Sequence, residues 1–274
     1  MSGPGGDRVP PAADPAARAW RNVWEHQAAW WRSTFTDGAD PEYEFEILPI
    51  VERQLAGARR VLDLGCGEGQ VSRRLRDRIE GLEGVVGIDV SVAQLANAGA
   101  AEFRRAGRGA GAPLALVRGE GERLPFRAAS FDAVVCTLVI EHAEDVDAVL
   151  DEVARVLAPG GSFLLLVNHP MFQGSGSGFV DDQILNECYW RVGPYLIEDV
   201  SWEEVDAGVR IPFAHRPLSR YINPLAAHDL LLVEMLEPRP LEQFLVSSLD
   251  AALESSIPRL LAMRFEHRPR RPVD

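Results

Sequence analysis

Lysine is missing from this chain of 274 residues, and all 28 of its basic side chains are therefore arginines. The absence excludes a lysine Schiff base and a lysine general base. Cysteine is scarce, and Cys66, Cys136 and Cys188 are scattered without a C-x-x-C pair. This spacing argues against a disulfide framework and against a zinc cluster. We therefore expect no metal site and a reducing compartment such as the cytoplasm.

Positive charge and long apolar runs are also in short supply. The net charge of -13 argues against a nucleic-acid partner, because binding of DNA or RNA normally uses a basic surface. The chain shows no early apolar signal segment, and its longest apolar run, Ala133–Ile140, is too short to span a bilayer. We expect a small-molecule substrate and no membrane partner. Nothing in the sequence indicates the oligomeric state.

A glycine-rich loop after a short apolar run is the most informative part of the chain. The run Val61–Leu64 predicts a buried strand, and the loop Gly65–Gly69 allows a tight turn and the close approach of a ligand. A helix is predicted over Gln70–Ile79. A second apolar run ends in Asp89, whose carboxylate could accept hydrogen bonds from both hydroxyls of a ribose. This order indicates a strand-helix-strand unit that binds an adenosine-containing cofactor.

The spacing within the loop separates two classes of cofactor. A loop that binds the pyrophosphate of a dinucleotide usually has the pattern G-x-G-x-x-G, with its third glycine inside the helix. This chain has Asp63-x-Gly65-x-Gly67-x-Gly69 instead. An acidic residue just before the glycines suits an ammonium or a sulfonium better than a phosphate dianion. Taken alone, such a loop is also consistent with an ordinary tight turn.

Four further segments extend the pattern over about residues 45 to 168. They are Gly87-Ile-Asp89-Val-Ser91, Gly119-Glu-Gly-Glu-Arg-Leu-Pro-Phe126, Ser130-Phe-Asp-Ala-Val-Val-Cys-Thr-Leu-Val-Ile-Glu-His142 and Arg155-Val-Leu-Ala-Pro-Gly-Gly-Ser-Phe163. With the glycine-rich loop they make five blocks in order. The region resembles the class I S-adenosylmethionine-dependent methyltransferases, in particular the branch that modifies small molecules and includes the quinone-biosynthesis enzymes.

The resemblance implies S-adenosylmethionine as the cofactor and assigns residues to its parts. The loop backbone takes the methionine part, Asp89 takes the ribose hydroxyls, and Glu120 takes the adenine position, where many relatives carry Asp-Ala in place of Glu120-Gly121. For the residues near the purine and beneath the sulfonium, ordinary core packing is the alternative. The predicted cofactor-binding residues are Asp63, Gly65, Cys66, Gly67, Gly69, Asp89, Val90, Gln94, Glu120, Gly121, Cys136 and Leu138.

The succession of apolar runs predicts an α/β fold with a Rossmann-like, seven-stranded methyltransferase sheet. The strands are expected at residues 60–64, 84–89, 114–118, 131–137, 161–168, 230–236 and 260–265. Residues 1–13 are rich in glycine and proline and predict a disordered N-terminus. Residues 14–274 are expected to form a single methyltransferase domain, with a helical N-terminal lid at 14–45 and a substrate-binding cap insertion at 169–216, after the fifth strand.

Aromatic side chains are concentrated in the lid and in the insertion. Together they could line an apolar pocket at the carboxyl edge of the sheet, where open α/β sheets bind ligands. They could equally anchor these two segments on the core. The residues predicted to bind substrate are Trp20, Trp24, Trp31, Phe172, Tyr189 and Trp190. A hairpin over Ser201–Arg216 is predicted to lie over this pocket.

Two histidines are candidates for a general base, if the methyl acceptor has to lose a proton. His169, at the end of the fifth predicted strand, is the first candidate. His142, which follows the fourth strand beside the predicted methyl position, is the second. For each, the alternative is a histidine that caps or orients a helix.

The predicted function is an S-adenosylmethionine-dependent methyltransferase that modifies carbon, nitrogen or oxygen of a small aromatic or apolar metabolite. Natural-product tailoring is one role that this prediction includes. Two alternatives stay open. One is an oxidoreductase that uses a nicotinamide dinucleotide on a related sheet. The other is a non-catalytic protein that binds the cofactor as a sensor or acts as a partner scaffold.

Overall fold

Alternate residues of the central strands belong to two separate buried clusters. Leu62 and Val134 lie in one cluster, whereas Val61 and Val135 lie in the other. Because successive side chains of a strand point to opposite faces, both faces of the central sheet are covered. This explains why these strands are almost continuously apolar in sequence.

The computed structural model describes residues 22–37, 39–105, 112–242 and 251–268. The strands, numbered along the chain, are β1 (Arg60–Leu64), β2 (Gly84–Asp89), β3 (Leu114–Arg118), β4 (Phe131–Thr137), β5 (Leu157–Asn168), β6 (Gly178–Asp182), β7 (Glu187–Arg191), β8 (Asp199–Asp206), β9 (Val209–His215), β10 (Leu230–Leu236) and β11 (Leu260–His267).

Seven of these strands form one sheet in the order β10-β11-β5-β4-β1-β2-β3. The strands from β5 to β3 are parallel, whereas β11 and β10 run antiparallel to their neighbours. The predicted Rossmann-like, seven-stranded sheet is therefore confirmed. The fifth strand begins at Leu157 and not at residue 161. Its first residue pairs with Phe131, and the register then shifts so that Ala133 pairs with Ser162.

Some helices precede the sheet in sequence, and others connect its strands and pack on its two faces. They are α1 (Ala28–Phe35), α2 (Leu48–Gln54), α3 (Gln70–Arg78), α4 (Val92–Arg105), α5 (Val146–Val156), α6 (Pro170–Gln173), α7 (Ser219–Ala227) and α8 (Ala251–Glu254). A π-helical turn spans Tyr43–Ile47 and a 3₁₀ turn spans Ile140–His142. Within the lid predicted at 14–45, the helix is interrupted at Gln27, because residues 22–26 form one helical segment and α1 follows as another.

The order of the strands places a crevice at the centre of the sheet. The chain passes from β1 outward through β2 and β3, and then returns to β4 on the other side of β1. Helical connections therefore diverge above the carboxyl ends of β1 and β4, which is where sheets of this type bind ligands. The glycine-rich loop and the Ile140–His142 turn both leave the sheet at this edge.

The predicted lid and cap are additions to this sheet. Residues 1–13 and the first part of the lid, up to residue 21, lie outside the described residues. In the insertion, β6 pairs with β7 and β8 pairs with β9, giving two hairpins outside the main sheet. The division into lid, domain and cap stays a prediction. No helix in the described ranges combines the length and the apolar character needed to cross a bilayer.

Candidate functional site

The loop between β1 and α3 is closely packed at Gly65 and open at Gly67. Gly65, Gly67 and Gly69 have φ angles of +72°, +53° and +80°, values that favour glycine. A Cβ atom on Gly65 would overlap the side chain of Val139, whereas a Cβ atom on Gly67 would meet nothing within 4 Å. The amides of Gly65 and Cys66 donate to the Ile88 carbonyl at 2.8 and 3.0 Å, which fixes the loop against β2.

Asp89 ends β2 beside this loop. The Gly67 amide donates to its Oδ2 atom at 2.8 Å, and the Ser91 amide donates to its Oδ1 atom at 2.8 Å. Burial raises the pKa of Asp89, and the backbone amides oppose that rise by stabilising the carboxylate. Because each carboxylate oxygen has more than one lone pair, the oriented carboxylate can still accept hydrogen bonds from two hydroxyls.

Asp63 is buried beneath the loop, near the end of β1. The Ser72 hydroxyl donates to its Oδ2 atom at 2.5 Å. Burial raises the pKa of Asp63 to about 7, against the opposing effect of Ser72. The protonated and the ionised forms of Asp63 are therefore both populated near neutral pH. A bound cation nearby would favour the ionised form.

One open cavity joins these groups above the carboxyl edge of the sheet. Its volume is about 1250 Å³ with the space at its mouth included. Glu68, Gln94 and Thr137 line it, and the Oε1 atoms of Glu68 and Gln94 and the Oγ1 atom of Thr137 are buried without a hydrogen-bond partner. Buried polar atoms are normally paired, so these three atoms are exceptions among the residues that line the cavity.

Aromatic rings form another part of the cavity wall. The Trp24 ring meets the Trp31 ring edge-on at 5.5 Å and the His142 ring at 4.8 Å between centroids. Tyr43, from the π-helical turn, meets Trp31 edge-on at 6.2 Å. All four side chains line the cavity. The described part of the lid therefore adds flat aromatic surfaces to a cavity that is lined elsewhere by both apolar and polar side chains.

His142 is held in one orientation by the cap. Its Nδ1 atom lies 2.7 Å from the Pro212 carbonyl oxygen on β9. A carbonyl can only accept, so the neutral ring carries its proton on Nδ1 and its lone pair on Nε2. Burial lowers the pKa of His142 to about 4, so the ring is neutral at physiological pH. The Arg216 guanidinium donates to the Ile140 and Ala143 carbonyls, which supports the turn that carries His142.

The lid is bonded to the cavity loop and to the cap. The Asp37 amide donates to Gln70 Oε1 at 2.9 Å, and Gln70 Nε2 donates back to the Phe35 carbonyl at 3.2 Å. The Trp30 indole donates to Asp206 Oδ2 at 3.0 Å, at the tip of the β8–β9 hairpin. These bonds connect the lid with both the start of α3 and the cap.

Comparisons with known proteins agree with this geometry. A family model described as a methyltransferase domain matches residues 62–165. A demethylmenaquinone methyltransferase from Thermus thermophilus is 34% identical over 117 residues, which are 43% of this chain and 50% of that protein. An S-adenosylmethionine-dependent methyltransferase structure from Mesorhizobium loti matches with a TM-score of 0.64 and 26% identity, covering 81% of this chain and 97% of the other.

The chain carries a class I S-adenosylmethionine-dependent methyltransferase domain. The resemblance, the enzyme class and the cofactor predicted from the sequence are thereby confirmed for this domain. The chain spans about half the length of the curated relatives it matches. The fold is also shared by the (4+2)-cyclase SpnF, at a TM-score of 0.54 and 17% identity over 81% of this chain and 80% of the other. The fold by itself therefore does not fix the reaction.

Most of the predicted cofactor-binding residues line the cavity of the methyltransferase domain. The exception is Gly69, which precedes α3 in a left-handed conformation, and its amide donates to the Cys66 carbonyl at 2.8 Å. Burial raises the pKa of the Cys66 and Cys136 thiols, so neither is a thiolate at neutral pH. The residues that line it are Asp63, Gly65, Cys66, Gly67, Asp89, Val90, Gln94, Glu120, Gly121, Cys136 and Leu138. Their individual contacts with the cofactor stay predictions.

The structure reverses the predicted order of the two histidines. His142 lines the cavity, whereas His169 does not. His169 is buried at the start of α6, where its Nδ1 atom accepts a hydrogen bond from the Met171 amide at 3.1 Å. Its Nε2 atom donates to Glu237 Oε1 at 2.9 Å. Nδ1 thus serves the helix-capping alternative and Nε2 is bound to Glu237, so His142 is the better candidate for contact with a substrate.

The predicted substrate residues divide between the cavity and the cap. Trp24 and Trp31 line the cavity, and Trp20 lies outside the described residues. Phe172 and Trp190 do not line it; their rings stack at 5.1 Å, and the Trp190 indole donates to the Met171 carbonyl at 3.4 Å. Tyr189 is 41% exposed on β7. Phe172 and Trp190 fit the anchoring alternative better than a place beside the cofactor, and Tyr189 does not line the cavity either.

Several cavity residues escaped prediction from the sequence. Tyr43 comes from a π-helical turn, which no local pattern in the sequence predicts. Glu68 stands inside the glycine-rich loop and could have been found from its position there. Among the described residues, no group of three or more histidine, cysteine or acidic side chains is arranged to hold a metal ion.

Proposed function

We propose that this chain transfers the methyl group of S-adenosylmethionine to carbon, nitrogen or oxygen of a small aromatic or apolar molecule. The observation that carries the proposal is one cavity that is lined both by the glycine-rich loop and Asp89 and by Trp24, Trp31 and His142. A relative named demethylmenaquinone methyltransferase supports an apolar acceptor. A cytoplasmic location fits the cysteine usage of the sequence.

The lining residues fit the cofactor chemically. S-adenosylmethionine has two ribose hydroxyls, an adenine amine and an ammonium as hydrogen-bond donors, besides a positive sulfonium. The cavity offers acceptors that match them: the Asp89 carboxylate, the unpaired Oε1 atoms of Glu68 and Gln94, and Glu120. The loop backbone at Gly67 leaves room for close approach. When bound, the cofactor supplies an electrophilic methyl group on sulfur.

The chain itself has to orient the acceptor and to exclude water, because methyl transfer is an in-line displacement. Trp24 and Trp31 cover the cavity with flat apolar surfaces against which an aromatic ring can lie. The Nε2 lone pair of His142 can accept a hydrogen bond from an O–H or N–H group of the acceptor. With a pKa near 4 the imidazole is a weak base, so its role is to orient this group more than to abstract its proton.

Two other readings of the cavity are less well supported. A nicotinamide dinucleotide would bring a pyrophosphate close to Asp63 and Glu68, which line the cavity near the loop. Like charges in that position would weaken its binding. A non-catalytic role is also compatible with the fold, because a fold by itself does not fix a function. Turnover of an acceptor separates this reading from the proposal.

Calorimetric titration with S-adenosylmethionine and with S-adenosylhomocysteine tests the cofactor site. We expect binding by the wild type, and a loss of about tenfold or more in affinity for Asp89→Asn and Asp89→Ala, because ribose contacts of a carboxylate are removed. Asp132→Asn is the matched control. The Asp132 carboxylate also bridges two backbone amides, those of Arg59 and Arg60, but at the opposite edge of the sheet.

Turnover is then measured as S-adenosylhomocysteine formed in the presence of aromatic metabolites. Activity that is lost in Asp89→Asn and kept in Asp132→Asn would support the proposed function. A well-folded wild type that binds neither form of the cofactor would refute it. Activity confined to protein or RNA acceptors would refute the choice of substrate class.

A further inference from the structure

No residue of the predicted cap, 169–216, lines the cavity, although the whole of this insertion lies within the described part of the chain. The lining residues come from the lid and from the stretch between Asp63 and Val149. The cap nevertheless contacts one residue of that wall, His142. It can therefore act on the site through a wall residue that it holds, without lying beside a ligand.

Two contacts with the His142 ring come from β9, in the second hairpin of the cap. The Nδ1 atom lies 2.7 Å from the Pro212 carbonyl oxygen, and the Phe213 ring lies 4.8 Å away between centroids. From the lid, the Trp24 ring meets the same imidazole at 4.8 Å. The ring is thus held between the lid and the cap.

Arg216, the residue after β9, holds the backbone that carries this ring. Its Nη1 atom donates to the Ile140 carbonyl at 3.1 Å, and its Nη2 atom donates to the Ala143 carbonyl at 2.6 Å. These carbonyls lie on either side of His142 in the chain. Because the guanidinium is a rigid, planar fork, its two hydrogen bonds fix both carbonyls relative to each other. Arg216 is only 6% exposed, so water has little access to these bonds.

The core holds the same turn at Glu141. Asn168, at the end of β5, donates to Glu141 Oε1 from its side chain at 2.8 Å and from its amide at 3.2 Å. Burial raises the pKa of Glu141, and the Asn168 hydrogen bonds and the charge of Arg216 oppose that rise. Arg216 therefore has two separable effects: its charge compensates a buried carboxylate, and its geometry fixes the turn. A lysine would keep the charge and lose the fork.

We propose that Arg216 is a positioning residue, which sets the orientation of His142 in the cavity wall and, through it, the orientation of the methyl acceptor. The cap then acts from behind the wall and not as a surface for the substrate. The proposal rests on the proposed function, because the acceptor is assumed to meet His142. Loss of the guanidinium geometry should slow methyl transfer and leave the cofactor site intact.

Nuclear magnetic resonance of the imidazole nitrogens measures the orientation without turnover. The chain has six histidines, and the spectrum of His142→Asn identifies the His142 signals by their absence. In the wild type saturated with S-adenosylhomocysteine, we expect the proton of His142 on Nδ1, as the Pro212 carbonyl requires. In Arg216→Lys we expect averaged signals of the two tautomers, because the ring is no longer held against that carbonyl. Wild-type signals in a folded Arg216→Lys would overturn the proposal.

Arg155→Lys is the matched control. The Arg155 guanidinium also bridges two backbone carbonyls, those of Phe126 at 2.8 Å and Leu124 at 3.1 Å, and it does not line the cavity. We expect wild-type His142 signals in this variant. Equal changes in the two variants would show a general loss of order and would overturn the proposal. If Arg216→Lys does not fold, Arg216→Gln, which can still donate to one of the two carbonyls, takes its place.

Kinetics separate positioning from cofactor binding. With an acceptor that the wild type methylates, we expect the kcat of Arg216→Lys to fall about tenfold or more and its S-adenosylhomocysteine affinity to stay within about twofold. An unchanged kcat, or a parallel loss of that affinity, would overturn the positioning role. A wild type without affinity for S-adenosylhomocysteine would refute the proposed function, and the His142 signals would still decide whether Arg216 orients the ring.

Discussion

The Glu25 carboxylate in the lid accepts a hydrogen bond from the Ser91 hydroxyl at 2.8 Å. The same Oε2 atom accepts from the Ala93 amide at 3.2 Å, in the first turn of α4. Ser91 also donates its amide to Asp89 Oδ1. These hydrogen bonds, that of Ser91 first, lower the pKa of Glu25. The lid is thus joined to the group expected to hold the ribose, through a carboxylate placed at a helix N-terminus.

Loss of this contact should weaken cofactor binding. For Glu25→Ala we expect the affinity for S-adenosylhomocysteine to fall about fivefold, since the loss of one capping interaction costs about 1 kcal/mol. Glu25→Gln should recover part of the loss, because its amide oxygen can still accept from Ser91. Titration calorimetry measures both. Glu80→Ala, an exposed carboxylate beyond α3, controls for charge, and an unchanged affinity in Glu25→Ala would show that the lid closes without this bond.

Two glycine substitutions distinguish the effect of backbone strain from the effect of losing contact with the cofactor. Gly67→Ala and Gly57→Ala each place a side chain at a positive φ, +53° and +83°, and in both cases the new Cβ meets nothing within 4 Å. Each should destabilise the fold by about 1 to 2 kcal/mol. Gly67 lines the cavity and Gly57 does not. We therefore expect only Gly67→Ala to reduce S-adenosylhomocysteine affinity, by about tenfold or more.

Thermal unfolding and calorimetry together check this pair. A similar loss of stability in both variants, with loss of affinity in one, would locate the cofactor against the loop backbone. Equal affinity in the two variants would contradict that placement.

The cofactor end of the site could be predicted because its signals are local. Asp63, Gly67 and Asp89 stand within short apolar runs and turns whose geometry depends on neighbours in sequence. The seven strands were predictable for the same reason, since β1 and β4 are buried on both faces and have to be apolar. The strand whose start was misplaced, β5, contains the Pro-Gly-Gly segment at 159–161, which indicates a turn and forms an irregular part of the strand.

The acceptor end depends on contacts between distant residues, which no local pattern contains. His169 looked suitable because it follows a strand, yet Glu237, 68 residues further along the chain, accepts from its Nε2 atom. The tautomer of His142 is fixed by its hydrogen bond to the carbonyl of Pro212, 70 residues away. Phe172 and Trp190 have the aromatic character of pocket residues but stack on each other within the cap. Residue type alone does not distinguish a ring that lines a cavity from one that holds a segment in place.

The low pKa of His142 leads to a specific pH dependence. Burial lowers this pKa to about 4, so the neutral form prevails above pH 5 and the protonated form appears only below it. If the neutral ring orients the acceptor, the part of the methylation rate that depends on His142 should be flat from pH 6 to 8 and should fall as the pH drops through about 5 to 4. A limb near pH 6.5 that disappears when His142 is replaced would mean that the ring titrates like a free histidine, whereas a limb that persists would belong to another group such as Asp63, whose pKa is raised to about 7.

Two substitutions of His142 distinguish its two nitrogens. His142→Asn can still donate a hydrogen bond to the Pro212 carbonyl but loses the Nε2 acceptor. We expect it to lower kcat by about tenfold to a hundredfold with S-adenosylhomocysteine affinity unchanged. His142→Gln places an amide near the Nε2 position and should retain more activity. Equal kcat in wild type and His142→Asn would exclude a role for Nε2.

Glu46 connects the folding stability of the lid region with pH. It is buried in the π-helical turn, and burial together with the nearby Glu42 and Asp40 carboxylates raises its pKa to about 7, against the opposing charge of Arg259. Since the ordinary pKa is 4.5, the folded state holds this proton where the unfolded state has released it. The contribution of protonated Glu46 to the free energy of unfolding is therefore fully present below pH 4.5 and is lost as the pH rises through 7.

Replacement of Glu46 by glutamine removes this dependence, because the amide stays neutral at every pH. Urea unfolding of Glu46→Gln should show a free energy of unfolding that changes less than that of the wild type between pH 4.5 and 8. The difference should reach about 1 to 2 kcal/mol in favour of the variant at pH 8. Glu44→Gln is the control on the same turn, since Glu44 pairs with Arg74 near the surface. If Glu44→Gln weakened the pH dependence of the free energy of unfolding as much as Glu46→Gln, or if Glu46→Gln did not weaken it, that pH dependence would have to arise from other carboxylates.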